Sequence, residues 1–317
     1  MTRAKIALIG AGGIGGMLAS FISLKDLGDV VLCDISEGIT KGKALDVSHA
    51  AVIVGHSAEF IGVGSDYSAI KGADVCVVTA GLSRKPGMSR EDLLKTNLGI
   101  IRAIGKEIGR HAPNAFVVCV TNPLDSMVWA LQKASGLPYT KVIGMAGVLD
   151  SARFRYLLAQ RLNVSPLDIH TLILGGHGDT MVPLIRYTSI AGIPLADFIA
   201  SKRISQKEVD DMIVRVRNGG AEIVELLQNG SATVSPAMGA IQMIQSYLKD
   251  ERRIFPCSVW LEGQYGYSDI YFGSPVVIGA GGVQDIIDLQ LTDDDKKLLD
   301  ASVQAVRKSI DECVCID

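Results

Sequence analysis

The sequence predicts an α/β protein, with an open, doubly wound parallel sheet in its first half and a mixed α+β arrangement in its second. Three observations carry that reading. Short runs alternate with amphipathic stretches up to about residue 146, the runs are apolar at nearly every position, and long helices with a late β-rich block follow. A strand that is apolar throughout is buried on both faces, as in a parallel sheet covered by helices.

Taken in order, "KIALIG" (5–10), "VVLCD" (30–34), "DVCVVTA" (74–80), "AFVVCVT" (115–121) and "KVIGM" (141–145) are the predicted strands. Between them, residues 91–111 place Leu93, Leu94, Ile100, Ile101, Ile104 and Ile108 at helical spacing. Parallel neighbours need crossover connections of one hand, so such a βαβ series winds into an open sheet. Beyond residue 147 helices are expected over 149–163, 206–228 and 233–249, then glycine-dotted β sequence from Cys257 to Ile278. "TDDDKK" opens a last helix, with Thr292 suited to the cap and the aspartates to the positive end of the helix dipole. No low-complexity linker or repeat intervenes, so the expected domains are 1–146 and 147–317, closely packed.

Composition excludes several classes. With 317 residues, 48% apolar content and a formal net charge of -3, the chain can bury a large core. It has no basic footprint for nucleic acid and no basic amphipathic stretch for a membrane surface. No apolar run reaches the roughly 18 residues of a membrane span. "MTRAKIALIG" enters a strand too soon for a targeting peptide, so a cytoplasmic location is expected. Cys33, Cys76 and Cys119 sit inside strands and read as small hydrophobes. Cys313 and Cys315 lack a second pair to complete a zinc site and read as solvated tail thiols. No metal is expected.

"GAGGIG" puts Gly10, Gly12 and Gly15 in G-x-G-x-x-G register between a strand and a helix. The first glycine makes the tight turn, the second lets backbone approach a pyrophosphate, and the third lets helix pack on sheet. Asp34 follows Gly15 by 19 residues at the end of the second strand, where a carboxylate meets ribose hydroxyls. A 2′-phosphate there would suffer about 4 kcal/mol of repulsion at roughly 4 Å in an effective dielectric near 20. No arginine in the following "ISEG" compensates, so NAD is expected rather than NADP in this Rossmann-type half.

The second half supplies chemistry. "LGGHGDT" places His177 between glycines after an apolar run, and histidine alone has an unperturbed pKa, about 6.5, suited to passing a proton near neutrality. Its nearest carboxylate in sequence is Asp179, which could equally cap a turn. In "GVLDSARFR", Asp150 and Arg153 share one side of a helix start, either as a plain ion pair or as an imidazole partner and a carboxylate grip. Asn122 in "VTNPLD" follows a buried strand at the ligand-binding edge of an open sheet, where it could instead serve a turn.

"GAGGIG", "TAGLSRKPGMSR", "VTNPLD", "GVLDSARFR" and "GGHGD" occur in the order and approximate spacing of the lactate/malate dehydrogenases, and the chain resembles that family over its whole length. Within it, the sequence is most similar to the lactate-dehydrogenase-like malate dehydrogenases. The resemblance implies reversible hydride transfer between (S)-malate and NAD, with His177 as proton acceptor and donor and Asp150 as its partner. Arg153 would bind the carboxylate beside the reacting carbon, Arg90 would polarise the carbonyl from a closing loop hinged at Gly81 and Gly87, and Asn122 would touch substrate. Gly10, Gly12, Gly13, Ile14, Gly15, Asp34, Thr79, Ala80, Gly81, Asn97, Val120 and Asn122 would hold the cofactor. Arg84 falls where the family sets specificity; an arginine there pairs with a second carboxylate, while Lys85 remains a solvated charge. Ala232 matches a pocket-wall position. The family's habit implies a homodimer or homotetramer. The competing readings are an L-lactate or relaxed 2-hydroxy-acid dehydrogenase, and a silent NAD-binding protein that would leave Arg90, Asp150, Arg153 and His177 without a purpose.

Overall fold

The computed structural model describes residues 3–82, 90–228 and 230–316. The first half runs β1 (Lys5–Ile9), α1 (Gly13–Lys25), β2 (Asp29–Cys33), α2 (Glu37–Ile53), β3 (Phe60–Val63), β4 (Val75–Val78), α3 (Arg90–His111), β5 (Phe116–Cys119), α4 (Leu124–Ser135) and β6 (Val142–Gly144). The second half opens with α5 (Gly147–Leu162). Five two-residue strands follow: β7 (Ile169–His170), β8 (Ile173–Leu174), β9 (Val182–Pro183), β10 (Ser189–Ile190) and β11 (Ile193–Pro194). Then come α6 (Leu195–Ala200), α7 (Gln206–Leu227), α8 (Val234–Leu248), β12 (Arg253–Glu262), β13 (Ser268–Gly279), β14 (Gly282–Ile286) and α9 (Asp293–Val314).

Among the described residues one nine-stranded sheet dominates, in the order β14-β13-β12-β6-β5-β4-β1-β2-β3. From β3 to β6 every pairing is parallel. Ile9 pairs with both Cys33 and Val78, Val78 with Cys119, and Cys119 with Gly144, so these strands end level. The chain winds outward from β1 to β2 and β3, then returns to the far side of β1 as β4, and that reversal opens a crevice at the carboxyl ends. Gly10, Asp34, Thr79 and Val120 begin the loops that line it.

The sheet does not stop at residue 146. Ser258 of β12 pairs antiparallel with Gly144 of β6, and β13 and β14 extend the sheet further. Residues 255–261 are all buried, because helices cover both faces of β12 as they do the parallel strands. The two halves therefore share a backbone ladder.

The predicted helices and parallel strands differ from the observed ones at their ends by up to two residues, whereas the late β-rich block runs from Arg253 to Ile286, four residues before and eight after its predicted bounds. β5 stops at Cys119 rather than residue 121 because Thr121 turns away, its Oγ1 donating to the Ala80 carbonyl at 2.8 Å. Thr292 caps α9 as expected, in a reciprocal box with Asp295. That helix runs to Val314, which corrects the reading of Cys313 as a solvated thiol: it is fully buried, while Cys315 is exposed. Cys33, Cys76 and Cys119 are buried, and desolvation pushes the Cys33 and Cys119 thiols up to about 12. Among the described residues no helix is long and apolar enough to cross a membrane.

Leu8 lies in the middle of β1, paired with Leu32 and Val77 and fully buried. Leu8→Ala should cost about 2–5 kcal/mol, the usual range for a core leucine. Urea unfolding should show a lowered midpoint with an unchanged slope, and an unchanged midpoint would contradict the central place of β1 in the core.

Candidate active site

The glycine loop is built by close approaches. Gly10 has φ +107°, and a Cβ there would sit 2.5 Å from the Ala80 nitrogen. A Cβ at Gly15 would collide with the Gly10 carbonyl oxygen, so α1 can seat against β1 only with glycine at that point. A Cβ at Gly13 would meet Thr233 Cγ2 at 2.5 Å, which brings the start of α8, with Ala232 beside it, against the start of α1. Gly12 is different: it is exposed and nothing lies within 4 Å of its Cβ position. Bare backbone N–H groups at a helix N-terminus with open space above them form an anion cradle. Ile14, the next residue but one, is half-buried.

Asp34 ties this cradle to β2. Its Oδ2 accepts from the Ala11 N–H at 2.7 Å and its Oδ1 from the Ser36 N–H at 3.1 Å. The carboxylate is thereby aimed along the loop with lone pairs left for hydroxyl donors. Lys43, which no sequence signal marked, donates to the Ala11 and Gly12 carbonyls at 2.6 and 2.7 Å and clamps the turn from α2. The donor set fits a dinucleotide: amides for phosphate and a carboxylate for ribose.

Across the crevice, Thr79 Oγ1 donates to the Gly10 carbonyl at 3.0 Å. Asn97 is fully buried and spends its amide on backbone, accepting from the Leu82 N–H at 2.8 Å and donating to the Leu82 and Asn122 carbonyls at 3.1 and 2.8 Å. Gly81 fits because any side chain would strike Thr121 Cγ2. Asn122 itself is exposed at the end of β5, with Val120 buried beneath it.

The chemistry-bearing residues converge through α5 and the loop after β8. Ser151 fixes their register: its Oγ accepts from the Ile173 N–H at 3.2 Å and its carbonyl accepts from Thr171 Oγ1 at 3.1 Å. Asp150, one residue earlier and 2% exposed at its side chain, then bridges two partners. Its Oδ2 lies 2.9 Å from His177 Nδ1, and its Oδ1 accepts from Arg153 Nη1 at 3.1 Å. With Nδ1–H donated to Asp150, a neutral His177 has its Nε2 lone pair available to accept a proton. Asp179, exposed in the same loop, is not the imidazole's partner. Burial alone would lower the His177 pKa; the charge and hydrogen bond of Asp150, with Asp125 adding to them, more than reverse this against Arg153, so the imidazole titrates above its ordinary value.

Sequence reasoning missed Asp125. It is buried near the start of α4, its Oδ2 accepting the His177 backbone N–H at 2.9 Å and its Oδ1 accepting Ser258 Oγ at 2.6 Å. Its place three residues after Asn122 was the one available signal. Arg84, Lys85 and Gly87 lie outside the described residues, as does the side chain of Arg90, whose backbone opens α3.

An anion cradle at the carboxyl edge of a doubly wound sheet and a histidine–carboxylate pair between α5 and the loop after β8 fit a nucleotide-linked oxidoreductase. The NAD-binding domain of the lactate/malate dehydrogenases matches residues 4–144, and their α/β C-terminal domain matches residues 147–315. The chain belongs to the lactate/malate dehydrogenase family. It is 54% identical to a malate dehydrogenase of Cereibacter sphaeroides over 317 residues, covering 100% of this chain and 99% of the relative. Its structure resembles a malate dehydrogenase of Cryptosporidium parvum, with TM-score 0.96 and 43% identity over 99% of this chain and 100% of that one. It equally resembles a lactate dehydrogenase of Eimeria maxima solved with NADH and oxamate, with TM-score 0.96 and 42% identity over 100% and 96%.

Gly15→Ala drives a methyl into the Gly10 carbonyl. Overpacking of this kind costs about 1–3 kcal/mol, so NADH affinity should fall by roughly tenfold. Fluorescence titration with NADH reads this, and unchanged affinity would mean the glycine turn does not shape the nucleotide site.

Proposed function

We propose that this chain is an NAD-dependent malate dehydrogenase, interconverting (S)-malate and oxaloacetate. The observation that carries the 2-hydroxy-acid chemistry is the single Asp150 carboxylate shared between His177 and Arg153, which sets a proton carrier beside a cationic grip for a carboxylate. The 54% identity to a malate dehydrogenase supports malate as the acid. The glycine loop and Asp34 hold the dinucleotide, with Thr79, Ala80, Gly81 and Val120 forming the opposite wall. Bound NAD supplies the hydride acceptor for the carbon that carries the hydroxyl.

His177 Nε2 takes the hydroxyl proton as malate is oxidised, and Asp150 stabilises the imidazolium so formed. In the reverse direction His177 returns that proton to the carbonyl oxygen. Arg153 holds the neighbouring carboxylate, and Asn122 orients the substrate from the end of β5. Asn97 contributes by fixing Asn122 and Leu82 rather than by reaching outward. Arg90 polarises the carbonyl, and Arg84 pairs with the distal carboxylate of the four-carbon diacid. A hydrogen bond to a charged group is worth about 1.5–3 kcal/mol, so Arg84 gives a roughly ten- to hundredfold preference over pyruvate.

We further propose a cytoplasmic homodimer or homotetramer. In and around α2, Ile35, Ile39, Leu45, Val52 and Ile53 are exposed, an apolar set that a second copy would cover. All six cysteines are free thiols, as a reducing compartment keeps them.

The test is NADH oxidation with oxaloacetate and with pyruvate, comparing kcat/KM. Oxaloacetate should win by at least tenfold, and His177→Asn should lose turnover by several hundredfold or more while still binding NADH. Retained turnover in that variant would refute the role of His177. Separately, Arg84→Gln should move preference towards pyruvate by roughly ten- to a hundredfold. Oxaloacetate preference that survives this change intact would refute Arg84 as the selector.

A further inference from the structure

Asp125 is a buried carboxylate that the mechanism above does not use. We propose that it is a positioning residue for His177, fixing the histidine through its backbone N–H while its negative charge, with that of Asp150, holds the imidazolium form. The inference rests on the reading of His177 as the proton carrier.

The geometry is that of a tether drawn from two directions. Asp125 joins α4 to the His177 loop through Oδ2 and to β12 through Ser258 and Oδ1. One residue back, the Gly176 N–H donates to Ser302 Oγ of α9 at 2.9 Å. A Cβ at Gly176 would lie 3.5 Å from Asp125 Oδ2, so the carboxylate abuts the loop at two successive residues. Holding an N–H needs only a neutral acceptor, and an ionised carboxylate costs far more to desolvate than an amide does. Among the described residues no lysine or arginine side chain bonds to Asp125; its partners are the His177 N–H, the Ser258 hydroxyl and its own backbone N–H. The cation that gains from the charge is the imidazolium.

Among the described residues the charged groups that face His177 are Asp150 and Arg153 from α5 and Asp125 from α4, with β12 and α9 presenting the neutral Ser258 and Ser302. Arg153 opposes the cation and both aspartates favour it, which agrees with the raised imidazole pKa. Burial pushes the Asp125 carboxyl above its usual value of 3.8, although its hydrogen-bond donors and the His177 charge pull the other way. A carboxyl raised on folding supports stability below its unfolded pKa, and that support is lost as pH rises through the folded value. In its ionised form Asp125 therefore withdraws stability, and serves something else.

Asp125→Asn tests this with an isostere. The amide oxygen can accept the His177 N–H while the amide nitrogen donates to Ser258, so the melting temperature at pH 8 should hold or rise. The readout is kcat/KM for oxaloacetate with NADH from pH 6 to 9, which falls as His177 loses its proton. In the wild type this limb should lie above about 6.5, the ordinary histidine value. In the variant it should move down by about half a unit or more, so that activity relative to wild type drops roughly threefold across the range. A loss of equal size at every pH, or none, would overturn the proposal and leave Asp125 a neutral-equivalent tether. Should that variant fail to fold, Asp125→Ser, a smaller neutral acceptor, is read in the same way. A limb moved down by about half a unit or more supports the second carboxylate, and an unmoved limb overturns it. Absence of wild-type turnover with both oxaloacetate and pyruvate would instead refute the function assigned to the site.

Discussion

The structure depends on one buried carboxylate serving two cations of different kinds. Asp150 gives one oxygen to an imidazole that must change charge and the other to a guanidinium that never does. Neither bond alone would justify a 2% exposed carboxylate, since an isolated buried charge is costly and becomes tolerable only when paired and hydrogen-bonded. The permanent charge of Arg153 gives the Asp150 carboxylate a cationic partner even while His177 is neutral. In the proposed reaction Asp150 is therefore paired whether or not His177 carries its proton. The same arrangement limits how far the imidazole pKa can rise, because Arg153 repels the cation that Asp150 attracts.

Holding that triad requires parts from distant stretches of chain to agree within a fraction of an ångström. α5 begins three residues after β6, so Asp150 and Arg153 inherit their position from the parallel sheet. His177 follows β8, whose place is fixed by Ser151 on α5 and by backbone contact of Gly175 with Gly273 of β13. A Cβ at Gly273 would strike the Gly175 carbonyl, so the approach of loop to sheet is closer than any side chain permits. Because β12 and β13 continue the sheet that carries the nucleotide loops, the proton carrier and the cofactor edge are registered by one hydrogen-bonded ladder. A flexible hinge between separate domains would not give that accuracy.

Much of this was legible in the sequence, for reasons that also explain the rest. Strands β1, β2, β4, β5 and β6 are buried on both faces, so their apolar runs were unmistakable, whereas β3 is half-exposed at the sheet edge and its "FIGV" gave no comparable signal. Gly10, Gly15 and Asp34 were readable because the motif encodes its own geometry over one βαβ unit. His177, Asp150 and Arg153 stood out by residue type and local pattern. The single Gly144–Ser258 pairing that fuses the two halves joins residues more than a hundred positions apart and leaves no local mark. Asp125 and Lys43 are ordinary-looking charges whose importance comes from the direction their helices face. Cys313 was misread because the last helix runs almost to the chain end and buries it.

The fold itself is indifferent to the choice between a three-carbon and a four-carbon acid. Malate and lactate dehydrogenases superpose on this chain equally well, at TM-score 0.96 in both cases. The shared parts explain why: the cradle, Asp34, His177, Asp150 and Arg153 all address features common to any 2-hydroxy acid, namely a hydroxyl, its carbon and one adjacent carboxylate. What distinguishes malate is a second negative charge at the far end, and a scaffold can select for it only with a cation that is poorly satisfied otherwise. The proposed selector, Arg84, falls in sequence between β4 and α3, apart from the residues that the sheet carries. In the proposed function, selection of the acid thus rests on a different stretch of chain from the buried carboxylate beside His177.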